Sequence, residues 1–440
     1  MRKLLVVVAL TLAARSVLAQ QTLSLTVEQA IQLGLENSKV LHASLMRLNY
    51  ADAKSAEVNA QRLPSLKFSG GYTRLSDIPP FSITLPQQLG GNSFTLAPSV
   101  LNNYAMKLSL EQPLFTGFRL DAAVNAAEYN ARASEQDYTK SKADLTYNIR
   151  AAYWHLFQAM ELKKVNDENV EQVKAHLRDV QNLLNQGMAT TNDVLKVQVQ
   201  LSDARLRQIE ANNNVQLATI ALNNTIGIPL QTRITIDSQL ERGASTPNED
   251  LQALIERAME KRPELRAMEY RVRAGEAAIT AAKAGWWPQI YLSANYNYNR
   301  PNQRVQPIQD VFKDTWDVTL GVSLDIWNWG RTLHQTDQAS AQYEEAKDGL
   351  TQTKDAITLE VTQNYLNLKQ AQERTAVAEQ GVQQAEESYR VTNTRFKEGL
   401  AQNSDLLDAE VALLLAKTNY TNALVDYALA EARLQKSIGE

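Results

Sequence analysis

The chain has 440 residues, 45 Lys+Arg against 49 Asp+Glu, and no cysteine. Without Cys there is no disulfide framework, no zinc–thiolate site, no thiol nucleophile and no acylated cysteine anchor. Only 17 Gly and 12 Pro punctuate this length, so long uninterrupted elements are expected.

At the N-terminus, Arg2 and Lys3 precede an apolar run over 4–14, and Val17-Leu18-Ala19 fits a small-residue cleavage site. Residues 1–19 are predicted to be a signal peptide. The run falls short of the ~20 apolar residues that span a bilayer as a helix. Its removal leaves 42 basic against 49 acidic residues. A mildly acidic exported chain is a poor partner for nucleic acid. No later run of 18 apolar residues occurs, so membrane-spanning helices are excluded and membrane-spanning strands are not.

The chain then repeats itself. AIQLGLENSKVLHA (30–43) matches LIERAMEKRPELRA (254–267), an offset of 224 that also carries Pro64 onto Pro288. NQGMATTNDVL (185–195) matches KEGLAQNSDLL (397–407), an offset of 212 that also carries Tyr153 onto Tyr365 and Gly227 onto Gly439. Two halves, 20–228 and 248–440, are predicted to share one plan, joined by a linker over 229–247. Each half should run helix (28–62; 249–286), two strands around a polar loop, very long helix (120–186; 332–398) and returning helix (192–225; 404–438).

The long helices carry a heptad: Leu145, Ile149, Leu156, Val170, Val173 and Val180 in the first half, and Ile357, Val361, Leu368, Ala371, Tyr389 and Phe396 in the second. A sustained 3.5-residue period predicts left-handed coiled-coil packing. At 1.5 Å per residue such a helix is roughly 100 Å long, beyond the size of a compact globule. The stripes are narrow, which suits seams between neighbours in a single-layer cylinder better than a solid bundle.

The strands alternate. Trp316, Val318, Leu320 and Val322 face one way, Asp317, Thr319, Gly321 and Ser323 the other; 65–75, 104–115 and 289–299 behave similarly. Each has about the 9–11 residues of a tilted membrane strand, and Trp316, Trp327 and Trp329 sit where an interfacial aromatic girdle would lie. Four strands cannot close around water, since small barrels need about 8, so oligomerisation is required.

These stretches together resemble the TolC family of outer-membrane factors. The similarity is carried by TVEQAIQLGLENS (26–38), QPLFTGFRL (112–120) and the paired turns LLNQGMATTNDVL and RFKEGLAQNSDLL, at consistent offsets. It implies a mainly α fold of two repeats. The long antiparallel coiled-coil helices would form an α-barrel continuous with a 12-stranded transmembrane β-barrel in a homotrimer. It implies an exit duct of tripartite efflux or type I secretion systems in the outer membrane of a Gram-negative bacterium, with the helices in the periplasm. Its partners would be outer-membrane lipid, a periplasmic adaptor and an inner-membrane pump. Strands 65–75, 104–115, 289–299 and 316–327 would form the pore, loops 77–103 and 300–315 would face outside, and 20–27 and 229–247 would join a collar.

No catalytic site is legible, and no cofactor or metal is expected. His42, His155, His176 and His334 are scattered, in no ligand spacing, and read as solvated helix histidines. The turns at 185–195 and 397–408 stand out. Gly187 and Gly399 can end a helix in the left-handed conformation, and Asn192-Asp193 and Ser404-Asp405 can cap the next one. By resemblance, Asp405 and Asp408 align with an acidic ring at a periplasmic constriction, with Asp193 as the first-half counterpart of Asp405, while Gly187-Met188 and Gly399-Leu400 would offer apolar surface to an adaptor. The chain departs from one member of that family, which has a basic residue at the position of Ala401 and a tyrosine at that of Phe396, so a salt-bridge and hydrogen-bond lock on a closed resting state is not expected to carry over. Two other readings share some features: a trimeric coiled-coil surface stalk with a barrel anchor, and a soluble periplasmic helical binding protein.

Overall fold

The computed structural model describes residues 23–79, 81–97, 99–237 and 250–440. The predicted signal segment and the second part of the predicted linker, 238–247, lie outside the described residues. The chain separates into two compact units. Of the described residues, one unit gathers those within 23–46, 136–237, 250–266 and 351–440; the other gathers those within 47–135 and 267–350.

In the first unit, β1 (Leu23–Leu25) pairs in parallel with β6 (Ile234–Ile236). Helix α1 (Val27–Asn37) starts on a capping box, in which the Gln29 N–H donates to Thr26 Oγ1 and the Thr26 N–H to Gln29 Oε1. A single helix was expected over 28–62. The chain instead breaks at Ser38, whose ψ of 119° is extended and whose hydroxyl accepts from the Leu41 N–H to start α2 (Lys39–Ala60). The helix expected over 249–286 also breaks, into α5 (Leu251–Lys261) and α6 (Pro263–Ala282) followed by a 3₁₀ turn (Lys283–Trp286). Here Pro263 supplies the reason: it has no N–H to donate and pushes Arg262 out of the helical region, to ψ 122°.

The long helices are α3 (Arg119–Asn185) and α7 (Arg331–Lys397), and the returning ones α4 (Thr191–Ile226) and α8 (Asn403–Ser437). The heptad positions Leu145, Ile149, Leu156, Val170, Val173 and Val180 are buried, as are Ile357, Val361, Leu368 and Phe396. One core joins Leu145, Ile149, Tyr153 and Leu156 of α3 to Leu25, Ala30, Leu41, Leu222, Ile226 and Ile234. Tyr153 is fully buried and its hydroxyl donates to the Leu25 carbonyl at 2.9 Å, tying β1 to the long helix. Gly34 permits a close approach there, because a Cβ would fall 2.2 Å from Ile149 Cδ1. Along the heptad of α7 the seam thins between Ala371 and Phe396, where Ala378, Val382, Ala385 and Tyr389 are only half-buried.

The second unit is built on a four-stranded antiparallel sheet in the order β2 (Ser65–Arg74), β5 (Asn102–Thr116), β7 (Gln289–Arg300), β8 (Lys313–Ser323). Register fixes the faces, because directly opposed residues point the same way. Phe68 pairs with Leu108, Leu108 with Tyr296 and Tyr296 with Trp316; one row over, Leu66, Leu110, Ala294 and Val318 line up. The other face carries Ser69, Lys107, Asn297 and Thr315, then Lys67, Ser109, Asn295 and Asp317. Pro113 falls at the β5 bulge, where a missing N–H is tolerated. The strand predicted over 316–327 ends at Ser323, opposite Gln289; the preceding residue, Pro288, has no N–H with which to continue the ladder. The segment 77–103, expected as a loop, contains the hairpin β3 (Phe81–Thr84) and β4 (Ser93–Ala97).

Replacing Tyr153 by Phe is expected to lower stability by about 1 kcal/mol, the value of one buried hydrogen bond. A lower thermal midpoint in detergent checks this; an unchanged midpoint would show that the Leu25 contact carries nothing.

Candidate functional site: the paired helix turns and the two-faced sheet

Each long helix ends in the same turn. The Met188 N–H donates to the Leu183 carbonyl and the Gly187 N–H to Leu184; the Leu400 N–H donates to Arg395 and the Gly399 N–H to Phe396. These paired bonds close a Schellman motif. Gly187 and Gly399 have φ of 75° and 73°, and nothing lies within 4 Å of where their Cβ would be. Glycine is needed there for its left-handed backbone and not for space.

The returning helices start two residues earlier than the expected caps Asn192-Asp193 and Ser404-Asp405. The N-caps are Thr190 and Gln402, and the aspartates sit three residues further on. Asp193 Oδ2 accepts from the Thr190 N–H and from its hydroxyl, while the Asp193 N–H donates back to Thr190 Oγ1. Asp405 Oδ2 accepts from the Gln402 N–H. The Thr190 hydroxyl, then its N–H, holds the Asp193 carboxyl below the usual carboxylate range. Asp408, one turn on, is exposed, and its carboxylate makes no hydrogen bond or ion pair among the described residues.

The two turns come together. The Asn403 amide donates to the Asp193 carbonyl at 3.4 Å. A cleft of about 430 Å³ is lined by Met188, Asp193 and Lys196 from one turn and Phe396, Gly399 and Gln402 from the other. Met188 and Leu400 are 66% and 65% exposed, so both offer apolar surface to solvent. Phe396 is buried, edge-on to His176 with ring centroids 5.3 Å apart, and Ala401 packs on the same core.

His176 corrects the reading of all four histidines as solvated. It is buried against Glu410, another buried polar residue that sequence reasoning did not single out. They come from helices α3 and α8, 234 residues apart in the chain, so no periodic signal in the sequence marks them as a pair.

In the sheet unit, Trp316 lies inside β8, opposite Tyr296, and is exposed. Trp327 and Trp329 follow the strand and pack edge-to-face at 5.8 Å. Trp329 and Gly330 are both left-handed where the chain turns into α7, as Gly117 and Phe118 are before α3. Sequence reasoning missed Phe118, which packs edge-to-face on Phe115 and Trp287 at this corner. Among the described residues no group of three or more His, Cys, Asp or Glu could hold a metal, and no helix is long and apolar enough to cross a membrane.

Thr190→Ala is expected to cost the first turn of α4 about 1 kcal/mol at neutral pH, read as roughly fivefold faster amide exchange over 191–194. Because the Asp193 carboxyl titrates lower in the folded chain than in the unfolded one, its contribution is present above about pH 4 and is lost as pH falls further. Equal protection in variant and wild type would remove the capping box from the account.

The family model described as outer membrane efflux protein matches residues 30–228 and 254–440. The outer membrane protein TolC of Vibrio cholerae is 24% identical over 325 residues, 72% of each chain. The pyoverdine export outer membrane protein OpmQ of Pseudomonas aeruginosa is 24% identical over 423 residues, covering 94% of this chain and 83% of its own. The alkaline protease secretion protein AprF of the same organism is 23% identical over 342 residues, 76% and 69% of the two chains. Among solved structures, the outer-membrane channel OprN superposes with a TM-score of 0.77 at 20% identity, covering 94% of this chain and 89% of its own. The Campylobacter jejuni CmeC outer membrane channel gives 0.79 at 17% identity, covering 94% and 85%. The mainly helical fold is thus that of outer-membrane channels, and the chain belongs to the outer membrane efflux protein family.

Proposed function

We propose that three copies of this chain close a twelve-stranded membrane barrel, and that the closed assembly is a water-filled duct. The chain is an outer-membrane exit duct for efflux or type I secretion. The observation that carries the trimer reading is the sheet itself. It presents one apolar face (Leu66, Phe68, Leu108, Tyr296, Trp316, Val318) and one polar face, and these apolar residues are all exposed in a single chain. Its outer strands β2 and β8 each leave one ladder edge unpaired among the described residues. Lipid against the apolar face and water against the polar face would satisfy the side chains, but only neighbouring strands satisfy the backbone.

The helices support the same reading. Helix α4 buries Val194, Val197 and Leu201 but leaves Leu195, Val199, Leu206 and Ile209 exposed, a second stripe on another face. On α7, Leu359 and Leu366 are exposed one heptad apart. Such stripes suit helices of adjoining copies. The matching turns, and the like placement of Gly227 on Asn37 and Gly439 on Lys261, support the two-repeat plan with its halves at 20–228 and 248–440.

At the turns, Asp193, Asp405 and Asp408 would each occur three times around the duct axis. Clustered carboxylates in a narrow wet passage favour cations. Asp193 and Asp405 already spend an oxygen on a helix start, whereas Asp408 is free to face the lumen. Met188 and Leu400, held out by Gly187 and Gly399, form the apolar contact for a periplasmic adaptor, which connects the duct to an inner-membrane pump. Trp316, Trp327 and Trp329 sit at or near the lipid interface.

Purified trimer in planar bilayers is expected to conduct with cation preference. Asp408→Asn should move the reversal potential under a salt gradient toward zero more than Asp193→Asn does; no shift in either variant would reject the acidic ring, and absence of conductance would reject the duct. Met188→Asp combined with Leu400→Asp should lose at least tenfold in adaptor co-purification, the scale of about 1.4 kcal/mol, with unchanged amounts in the outer membrane. Full recovery of adaptor with the double variant would take the turns out of the contact.

A further inference from the structure

Helices α3 and α8 run antiparallel and are joined by polar rungs. Asp144 meets Lys436 at 2.6 Å, Arg150 donates to Gln435 at 2.9 Å, and Gln158 donates to Asn422 at 2.9 Å. Lys417 then meets Glu168 at 3.2 Å, and His176 Nδ1 lies 3.2 Å from Glu410 Oε2. The Asp144–Lys436 and Glu168–Lys417 rungs are open to solvent, with side-chain exposures of 28–50%. The last rung differs: its side chains are 2% and 0% exposed. It is also the one of these five rungs that contains an imidazole.

The surroundings of this rung offer little other compensation. From α7, Phe396 packs edge-on to the imidazole, and the Tyr389 phenol is pushed up by burial and then by the Glu410 carboxylate. From α3 itself come Gln172 and, facing Tyr389, Asp179. Helix α4 contributes apolar Val197 and Leu201 to the adjoining core. His176 Nε2 and Glu410 Oε1 find no hydrogen-bond partner among the described residues. On α3 the cations nearest in sequence to His176 are Lys174, which pairs with Glu171, and the exposed Arg178; on α8 the first cation after Glu410 is Lys417, two helical turns on and engaged with Glu168 and Glu386.

We propose that His176 and Glu410 form a proton-sensitive clasp between the α3–α4 hairpin and the α7–α8 hairpin. With one proton shared between them, the pair is either a buried ion pair or a neutral hydrogen bond, and the seam is satisfied. Loss of that proton leaves a buried carboxylate facing an uncharged ring. A second proton leaves a buried imidazolium with no anion. Either state costs more than the seam gains from it, because an unpaired buried charge is expensive. The hairpins are therefore held together best in an intermediate pH window and loosen on both sides of it. Control of conduction by this clasp rests on the duct reading; the clasp itself does not.

The test is amide exchange of the full-length protein in detergent from about pH 5 to 9, corrected for intrinsic rates, reading peptides around 176 and 410. Wild type is expected to show greatest protection at an intermediate pH, falling roughly tenfold on either side. His176→Leu with Glu410→Leu should flatten the profile, and Glu410→Gln should remove protection on the acidic side. A wild-type profile as flat as that of the double variant overturns the proposal. So does a bell-shaped profile that survives in Glu410→Gln, which applies even where the double variant does not fold. Single-channel conductance over the same pH range separates the two levels. No pores in any sample defeats the duct reading alone, while pores with pH-independent exchange defeat the clasp alone.

Discussion

The backbone hydrogen-bond edges of β2 and β8 constrain everything else in this protein. A sheet of four strands satisfies its inner ladders and leaves two rows of N–H and C=O groups open. In water such edges are an aggregation hazard; in lipid they are untenable, since each unpaired group costs several kcal/mol. The exposed apolar face of the same sheet excludes a solution in bulk water, and its polar face excludes burial in lipid on both sides. The proposed closure by further copies would meet all three demands at once.

The helical portion obeys a different economy. Its stripes are one or two residues wide, so each seam is thin and polar groups appear inside it. Along α3 and α8 those groups are arranged as rungs, most of them exposed enough to be worth little in stability. The apolar positions supply adhesion, and the rungs fix which residue faces which, a registry role that polar groups in coiled coils are known to serve. The His176–Glu410 rung stands apart because burial makes its protonation state matter to the helices around it.

Much of this was legible in the sequence, for physical reasons. The long helices were readable because a 3.5-residue period over many heptads has no other use; they begin and end within a residue of the predicted limits. Alternation gave the faces of β5, β7 and β8, and Gly187 and Gly399 announced the turns. The breaks at Ser38 and Arg262 were missed. Pro263 was a visible signal for the second, but Ser38 breaks its helix through a hydroxyl that could equally have pointed to solvent. The caps were misplaced by two residues because Asn, Ser, Asp and Thr all occur in the turns, and only geometry decides which one holds the free N–H groups. His176 was misread because a lone histidine has no periodic signature, and its partner lies 234 residues away.

The absence of cysteine in the natural sequence allows the central claim to be tested directly. Within one chain, β2 and β8 are separated by β5 and β7, three strand spacings or about 14 Å, whereas a disulfide needs Cα atoms within about 7 Å. Cysteine pairs scanned along the two edges, for example Ser69→Cys on β2 with positions from Val318 to Val322 on β8, can therefore be bridged only between copies. Mild oxidation in intact membranes followed by denaturing electrophoresis should give a ladder ending at three chains for at least one register. Monomer alone at every register, with both cysteines accessible to a thiol reagent, would contradict closure of the barrel by neighbouring chains.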